Sequence, residues 1–209
     1  SLSGKALKKG IWSLNIYDLK EYGLGPHKSV DEKTSGGGPG MVLRADVIDT
    51  AINHCFKKNR PLIYFSPKGK PLNQDTIEKF SLTKGVSIIC GHFEGIDQRI
   101  IDLHDIEEIS IGDYILSGGE IATIVFLDSL VRLLPDVLGN NNSKKIETFT
   151  DGLLEYPQYT KPNEFKGMKI PDILLSGNHK AIKEWQENQA LNLTKLRRPD
   201  LIDKKKDKI

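Results

Sequence analysis

The sequence predicts an α/β fold built on a parallel sheet, followed by a small helical region. Three apolar runs, at 62–65, 86–90 and 106–111, have the pattern of buried strands. Segments with helical spacing separate these runs, and strands that alternate with helices favour a parallel sheet. Directly after residue 138 the sequence is rich in Gly, Asn and Ser, which indicates a flexible linker before the helical region.

Before the first buried strand, the sequence predicts a strand, a loop and a helix. The apolar residues of 11–16 nearly alternate with polar ones, which is typical of a strand. Residues 35–40 contain four glycines and a proline, so we expect a mobile loop there. The apolar spacing over 46–58 predicts a helix.

Asparagine and aspartate side chains predict where later helices begin. Asn73 should cap a short helix at 75–80, and Asp97 should cap one at 98–103. The apolar segment 120–134 predicts a long helix that ends before Pro135.

The region after the linker predicts short helices. Asn178 should cap a helix that runs to about residue 189, and a second helical segment is expected at 190–197. An apolar connector at 170–177 precedes them. A region this small cannot bury much core alone, so we expect it to dock on a partner.

The overall composition predicts a globular protein that has no membrane partner. The chain has 209 residues, of which 38% are hydrophobic and 28% are charged. No apolar run approaches the ~20 residues that span a bilayer. Cys55 and Cys90 have no metal-ligand spacing, which predicts reduced thiols, a cytoplasmic protein and no metal site.

Positive charge is concentrated in the last third of the chain. Residues 1–138 carry 16 Lys and Arg against 18 Asp and Glu, whereas 139–209 carry 14 against 10. This asymmetry is compatible with a polyanionic partner, although charge alone favours a solvated, lysine-rich surface.

Each of the three buried strands is followed by an unusual turn. These turns contain Ser66-Pro67-Lys68-Gly69, Gly91-His92-Phe93-Glu94-Gly95 and Gly112-Asp113-Tyr114. Ligands of parallel sheets bind at the carboxyl ends of strands, so one shared small-molecule site is favoured. The chain lacks G-x-G-x-x-G and the phosphate-binding loop with its lysine, which disfavours a dinucleotide or triphosphate ligand.

Several longer motifs resemble the bacterial tRNA (guanine-N1)-methyltransferases. The matching stretches, in the order of that family, are GGGPGM (36–41), YFSPKG (64–69), CGHFEGID (90–97), SIGDYILSGGE (110–120), DGLLEYPQYTKP (151–162), LLSGNH (174–179) and LRRPDL (196–201). They extend over nearly the whole chain.

The resemblance implies an architecture that the sequence pattern alone does not give. Members of this family have a SPOUT-like α/β domain whose parallel sheet and flanking helices form a deep trefoil knot, followed by a small all-helical tRNA-binding domain. The implied boundaries are 1–138 for the knotted domain, 139–148 for the linker and 149–209 for the helical domain. Family members are homodimers whose active sites are shared between subunits, and they have a strand and a helix before the position of Ser1.

The family cofactor is S-adenosyl-L-methionine, the methyl donor. Its implied binding residues come from the turns after the three strands. They are Tyr64, Phe65, Ser66, Pro67, Gly69, Gly91, Glu94, Ile111, Gly112, Asp113, Tyr114, Ile115, Leu116, Gly118 and Gly119. Backbone groups in such turns can bind adenine without charged side chains.

The implied reaction methylates N1 of the guanosine at tRNA position 37. A general base must remove the N1 proton, and a cation must stabilise charge on O6. The resemblance places Arg132 at O6 and Glu147 as the base, where the family has an aspartate. Asp151 is the nearest rival base, and His92 stands where an arginine is frequent.

The remaining implied contacts are with tRNA. They involve Asp31, Pro39, Gly40, Leu138, Glu155, Lys161, Arg197 and Arg198. Phosphate contacts of the basic residues would make binding sensitive to salt. Magnesium dependence is also suggested by the family. Two other interpretations stay open: a knotted RNA-binding protein without activity, and a knotted methyltransferase that acts on another RNA.

Overall fold

The chain divides into two compact units, Ser1–Gly139 and Asn140–Ile209. The computed structural model describes residues 1–138, 149 and 152–206, the last four by their backbone only. The first unit contains, in chain order, α1 (Leu2–Lys8), a 3-10 helix (Leu19–Tyr22), β1 (Asp31–Lys33), β2 (Met41–Leu43), α2 (Ala45–Cys55), β3 (Leu62–Pro71), α3 (Gln74–Ser81), β4 (Ser87–Ile89), α4 (Gln98–His104), β5 (Glu107–Ser110) and α5 (Gly119–Val131). The second contains β6 (Glu164–Phe165), β7 (Met168–Lys169), α6 (Asp172–Leu175), α7 (His179–Arg197) and α8 (Pro199–Lys206).

A three-stranded parallel sheet organises the first unit, as the sequence predicts. Its strand order is β4-β3-β5, and the central strand β3 pairs in parallel with both neighbours. The segment Leu62–Phe65 of β3 is buried throughout. A continuous apolar run suits this strand because helices cover both faces of a parallel sheet.

Alternate residues of β3 pack into two separate hydrophobic clusters. Leu62 and Tyr64 belong to a cluster formed with residues of α2 and α4. Ile63 and Phe65 belong to a second cluster formed with residues of α3 and α5. Successive side chains of a strand point to opposite faces, so this one strand anchors the core on both sides.

The predicted helix caps are confirmed. The Asn73 side chain accepts a hydrogen bond from the Thr76 N–H at 2.9 Å, and the Asp97 side chain accepts one from the Arg99 N–H at 2.9 Å. Asn178 accepts from the Ala181 N–H at 3.2 Å in the same way. Each cap satisfies a backbone donor that the first helical turn leaves without a partner.

Two of the predicted elements are wrong. Residues 11–16 form no strand, and Ile16 is 83% exposed. The indole N–H of Trp12 instead donates to the Ser3 carbonyl at 2.9 Å, which holds this segment near α1. The sequence predicts two helical segments over 178–197, but α7 is one helix of 19 residues.

The region after the linker is also not all-helical, which corrects the expectation from the resemblance. Strands β6 and β7 pair in antiparallel fashion, with Phe165 opposite Met168. The two residues between them, Lys166 and Gly167, both have positive φ, at 51° and 80°. This is the backbone of the two-residue turns that connect hairpin strands.

Candidate active site

Three loops lie where the strands of the parallel sheet lead out of the core. We call them the first loop (66–69), the second loop (91–95) and the third loop (111–118). They follow the buried part of β3, strand β4 and strand β5. Because these strands are parallel, their carboxyl ends lie at the same edge of the sheet, where ligands of α/β proteins bind.

The first loop is a bulge inside β3 rather than the end of a strand, which corrects the sequence prediction. Phe65 and Lys70 both pair with Ile109 of β5, so the four residues between them leave the ladder. A Cβ on Gly69 would overlap the backbone of Glu108 and Ile109. Gly69 is therefore required for the close approach of β3 to β5, whatever ligand the loop contacts.

The other predicted cofactor residues at the end of the buried part of β3 and in the first loop differ in accessibility. The side chains of Tyr64 and Phe65 are buried in the two core clusters, so only their backbone groups remain for a ligand. Ser66 is also buried, and its Oγ accepts a hydrogen bond from the Lys68 N–H at 3.2 Å. Pro67 is exposed.

The second loop contacts the end of the third loop and the start of α5. The Gly119 N–H donates to the Gly91 carbonyl at 2.9 Å, and His92 and Gly118 form an isolated antiparallel bridge. A Cβ on Gly91 would lie 2.5 Å from Cε2 of Tyr64. Glycine at 91 thus lets the second loop pass over the Tyr64 ring and meet α5.

The third loop combines an ordered backbone with exposed apolar side chains. Ser110 Oγ lies 3.2 Å from both the N–H and the carbonyl of Gly112, and the Tyr114 hydroxyl donates to the Ile111 carbonyl at 3.1 Å. Gly112 has φ +149°, in the left-handed region that favours glycine. Residues 113–117 are exposed, and Ile115 is 81% exposed, so this loop can cover a flat apolar ligand.

The glycine-rich loop between β1 and β2 contacts the second loop. The Glu94 N–H donates to the Met41 carbonyl, and the Leu43 N–H donates to the Gly95 carbonyl, both at 3.0 Å. A Cβ on Gly40 would lie 2.5 Å from Cγ of Glu94. The structure therefore places a predicted substrate residue, Gly40, against a predicted cofactor residue, Glu94.

Two titratable groups behind these loops, the Cys90 thiol and the Tyr64 phenol, have raised pKa values and are neutral. Burial raises the pKa of the Cys90 thiol, with a smaller opposite effect from Thr123, whose hydroxyl oxygen is 3.3 Å from Sγ. Burial and the nearby Glu108 carboxylate raise the pKa of the Tyr64 phenol. Neither group is suited to act as an ionised nucleophile or base at neutral pH.

Arg132 and Leu138 lie beyond α5, away from its amino-terminal end. Arg132 is the residue after the helix, is partly buried, and donates its N–H to the Asp128 carbonyl at 3.4 Å. Leu138 is also partly buried. The predicted base Glu147 and its rival Asp151 lie outside the described residues.

The other predicted tRNA contacts are distributed over both units. Asp31 pairs with Leu43 in the β1–β2 hairpin and is partly buried, while Pro39 is exposed. In the second unit, Lys161 and Arg197 are exposed, and Glu155 accepts a hydrogen bond from Gln158.

Arg198 is engaged in an ion pair. It donates to both carboxylate oxygens of Asp200, at 2.9 and 2.7 Å, and this pairing raises the pKa of Arg198. A phosphate would therefore have to compete with Asp200 for this guanidinium.

One polar contact at the loops, between His92 and Glu120, was not predicted from the sequence. His92 Nε2 lies 2.9 Å from Glu120 Oε1, which links the second loop to α5. The two residues are far apart in the chain, and no spacing rule connects a loop histidine with a glutamate in the first turn of a distant helix. The described residues contain no cluster of His, Cys, Asp or Glu that could hold a metal ion. None of the described helices is long and apolar enough to span a membrane.

Comparison with known proteins adds an independent observation. A family profile described as "tRNA (Guanine-1)-methyltransferase TrmD" matches residues 1–204. Three curated relatives carry the name tRNA (guanine-N(1)-)-methyltransferase. The protein of Gluconobacter oxydans (strain 621H) is 51% identical over 204 residues, 97% of this chain and 87% of the relative. That of Ehrlichia canis (strain Jake) is 52% identical over 206 residues, 97% and 88% of the two chains. That of Bartonella bacilliformis (strain ATCC 35685 / KC583 / Herrer 020/F12,63) is 53% identical over 201 residues, 96% and 86% of the two chains.

Proposed function

The chain belongs to the tRNA (guanine-N1)-methyltransferase family, and we propose that it transfers a methyl group from S-adenosyl-L-methionine to N1 of guanosine 37 of tRNA. One structural observation carries this proposal. The second loop contacts the start of α5 through Gly91 and the glycine-rich loop through Glu94. Predicted cofactor and substrate residues thus meet on one short segment of chain.

The three loops have the properties that an adenosine site needs. When bound, S-adenosyl-L-methionine supplies an electrophilic methyl group on a sulfonium. The exposed third loop offers backbone groups and the apolar side chains of Ile115 and Leu116 to an adenine ring. The raised pKa values of Cys90 and Tyr64 keep competing nucleophiles neutral beside the methyl donor. The role of these loops is therefore binding and orientation.

The proton and charge movements are assigned to residues elsewhere. Methyl transfer to N1 requires loss of the N1 proton, which we assign to Glu147 acting as a general base. Its extra methylene, relative to the family aspartate, requires the linker to shift by about a bond length. Such a displacement can change the rate by ~10²-fold if it is not compensated. We assign stabilisation of the O6 charge to the Arg132 guanidinium.

The distance along α5 supports a site shared between two subunits. The helix has 13 residues, and at ~1.5 Å per residue its ends lie roughly 20 Å apart. Gly119 is at one end and Arg132 follows the other, so we propose that they serve different active sites of a homodimer. The apolar side chains of Ile121, Ile124 and Val125 are 56%, 59% and 44% exposed on this helix and provide a surface for the second copy.

The knot and the domain roles are further parts of the proposal. We propose a SPOUT-like trefoil knot in 1–138, a linker at 139–148, and a tRNA-binding domain in 149–209. The β4-β3-β5 parallel sheet is compatible with such a knot. The excess of Lys and Arg in 139–209 supports contact with tRNA phosphates by Lys161, Arg197 and Arg198. We also propose a cytoplasmic location, where tRNA is found. Magnesium, suggested by the family, has no candidate ligand cluster among the described residues, and we assign it no step.

Methylation of defined transcripts tests the proposal directly. The protein should methylate a tRNA transcript with guanosines at positions 36 and 37, and not one in which position 37 is changed. Incorporation into ribosomal RNA alone would favour the alternative RNA substrate. Binding of tRNA without incorporation into any RNA would favour the non-catalytic interpretation.

Substitutions test the two catalytic assignments. Arg132→Ala and Glu147→Gln should each lower kcat by about 10²-fold or more while leaving S-adenosyl-L-methionine binding near the original value. Lys79→Ala and Glu78→Gln, both at exposed positions of α3, are the matched controls and should retain activity. If Glu147→Gln remains active and Asp151→Asn does not, Asp151 is the base.

A further inference from the structure

A histidine–carboxylate contact joins the second loop to the first turn of α5. His92 Nε2 and Glu120 Oε1 are 2.9 Å apart. Gly118 is in contact with both side chains of the pair, since a Cβ there would be 2.5 Å from Glu120 Oε2 and 2.6 Å from His92 Nε2. Glycine at position 118 therefore leaves the space through which these side chains meet.

The pair lies between two segments that the proposed function assigns to the cofactor. His92 follows Gly91, whose carbonyl accepts from the Gly119 N–H, and precedes Glu94, which packs against Gly40. The main-chain bond fixes the separation of the two segments at Gly91. The His92–Glu120 pair adds a side-chain connection one residue further along the second loop.

We infer that His92 and Glu120 are positioning residues, whose side-chain contact holds the second loop at the distance from Gly118 and Gly119 that S-adenosyl-L-methionine binding requires. This inference rests on the proposed function. Neither side chain has to touch the methyl donor. Without the pair, the loop that carries Glu94 could move away from α5, and the cofactor would have to restore its position on binding. The free energy needed to restore the loop position would then reduce the affinity for the cofactor.

Steady-state kinetics with tRNA and S-adenosyl-L-methionine test the inference. His92→Ala and Glu120→Gln should each raise the KM for S-adenosyl-L-methionine by about two- to fivefold, as expected for the loss of an exposed polar contact, with little change in kcat. The double variant should be no worse than either single one, because both remove the same interaction. His92→Arg, which keeps a hydrogen-bond donor opposite Glu120, should leave the KM close to that of the original protein.

A second histidine–carboxylate pair in the same unit supplies the matched control. His104 Nε2 lies 2.6 Å from Asp49 Oδ1, and the pair joins α4 to α2. Asp49→Asn should lower the thermal midpoint without changing the KM for S-adenosyl-L-methionine. If Glu120→Gln, which is nearly isosteric and should fold, leaves the KM unchanged, or if the two single effects add in the double variant, the inference is wrong. If the original protein itself fails to methylate tRNA, the proposed function fails instead.

Discussion

The two units of this protein are stabilised in different ways. In the first unit, two hydrophobic clusters pack against opposite faces of β3, and Ile63, Ile109 and Phe126 are almost completely buried. In the described part of the second unit, the buried residue is Thr194, which is polar. The first unit therefore depends on apolar burial, which the second largely lacks.

Polar and aromatic contacts replace a core in the second unit. The Thr194 hydroxyl donates to the Ala190 carbonyl at 2.7 Å and accepts from the Leu154 N–H at 2.9 Å. The rings of Tyr159 and Trp185 are 6.2 Å apart, within the range of an aromatic pair. Such contacts are few and local. The loops to which we assign the cofactor therefore lie on the well-packed unit, whereas the described part of the basic unit buries little apolar surface.

The two tryptophans allow the units to be followed separately. Trp12 belongs to the first unit and Trp185 to the second. In Trp185→Phe, fluorescence reports the first unit, and in Trp12→Phe it reports the second. We expect two urea transitions, with the Trp185 signal changing at the lower concentration. Coincident transitions would show that the units unfold as one and would contradict the comparison.

The largest effect is expected from Phe126→Ala in the first unit. The Phe126 ring is 5.7 Å from that of Phe65 and 5.3 Å from that of Phe80, and the side chain is 0% exposed. Its removal should lower the free energy of unfolding by about 3–5 kcal/mol, because it leaves a cavity between α3, α5 and the sheet. The Trp12 transition should shift, and the Trp185 transition should not. Leu82→Ala, at a side chain that is 88% exposed, is the control and should shift neither.

A smaller loss of stability is expected from Gly69→Ala, which adds a methyl group where the first unit has no space for it. The new methyl group would overlap the backbone of Glu108 and Ile109, which cannot move as a flexible side chain can. We expect the free energy of unfolding to fall by about 1–3 kcal/mol in the Trp12 signal. Gly38→Ala is the control, since its Cβ would meet only the Thr34 hydroxyl at 3.2 Å. Equal stability of the two variants would show that the bulge of β3 adapts.

Much of the first unit could be predicted from its sequence, because its signals are local. A continuous apolar run such as Leu62–Phe65 indicates a buried strand whatever surrounds it, and Asn73 and Asp97 cap the helices that follow them. The motifs of the loops also identified the family. These features depend on residues close together in the chain.

The features that sequence reasoning missed depend on contacts between distant segments. Nothing near Gly69 shows that β3 resumes pairing with β5 after the bulge, because the reason is the backbone of Ile109. The His92–Glu120 pair likewise needs the second loop and α5 to be adjacent. In the second unit, α7 continues through residues 189 and 190, where no glycine or proline interrupts the sequence.

In the second unit, Thr194→Val tests whether one hydroxyl stabilises the fold. Valine keeps the shape of threonine but leaves the partly buried Leu154 N–H without its acceptor. We expect a loss of about 1–3 kcal/mol in the free energy of unfolding, seen in the Trp185 signal only. Thr50→Val in α2 is the control, because its hydroxyl donates to the Asp46 carbonyl at 2.8 Å but lies on the surface. A similar, small effect of both substitutions would mean that the second unit does not depend on Thr194.

The smallest effect is expected from Asp97→Asn, and it depends on pH. The Arg99 guanidinium donates to both oxygens of Asp97, at 2.9 and 2.7 Å, and lowers the pKa of this carboxyl. A carboxyl whose pKa is lower in the folded protein stabilises it above the unfolded value of ~3.9, and this stabilisation is lost as the pH falls through the folded pKa.

The free energy of unfolding of the original protein should therefore exceed that of Asp97→Asn at neutral pH, and this difference should vanish in acid. The Arg99 side chain is 81% exposed, so we expect the difference in free energy of unfolding to stay below about 1 kcal/mol. The Trp12 fluorescence measures it. Asp200→Asn is the matched change in the second unit, where Arg198 makes the same two contacts, and should affect the Trp185 signal instead. A difference that persists unchanged below about pH 3 would assign the effect of Asp97 to its helix cap rather than its charge.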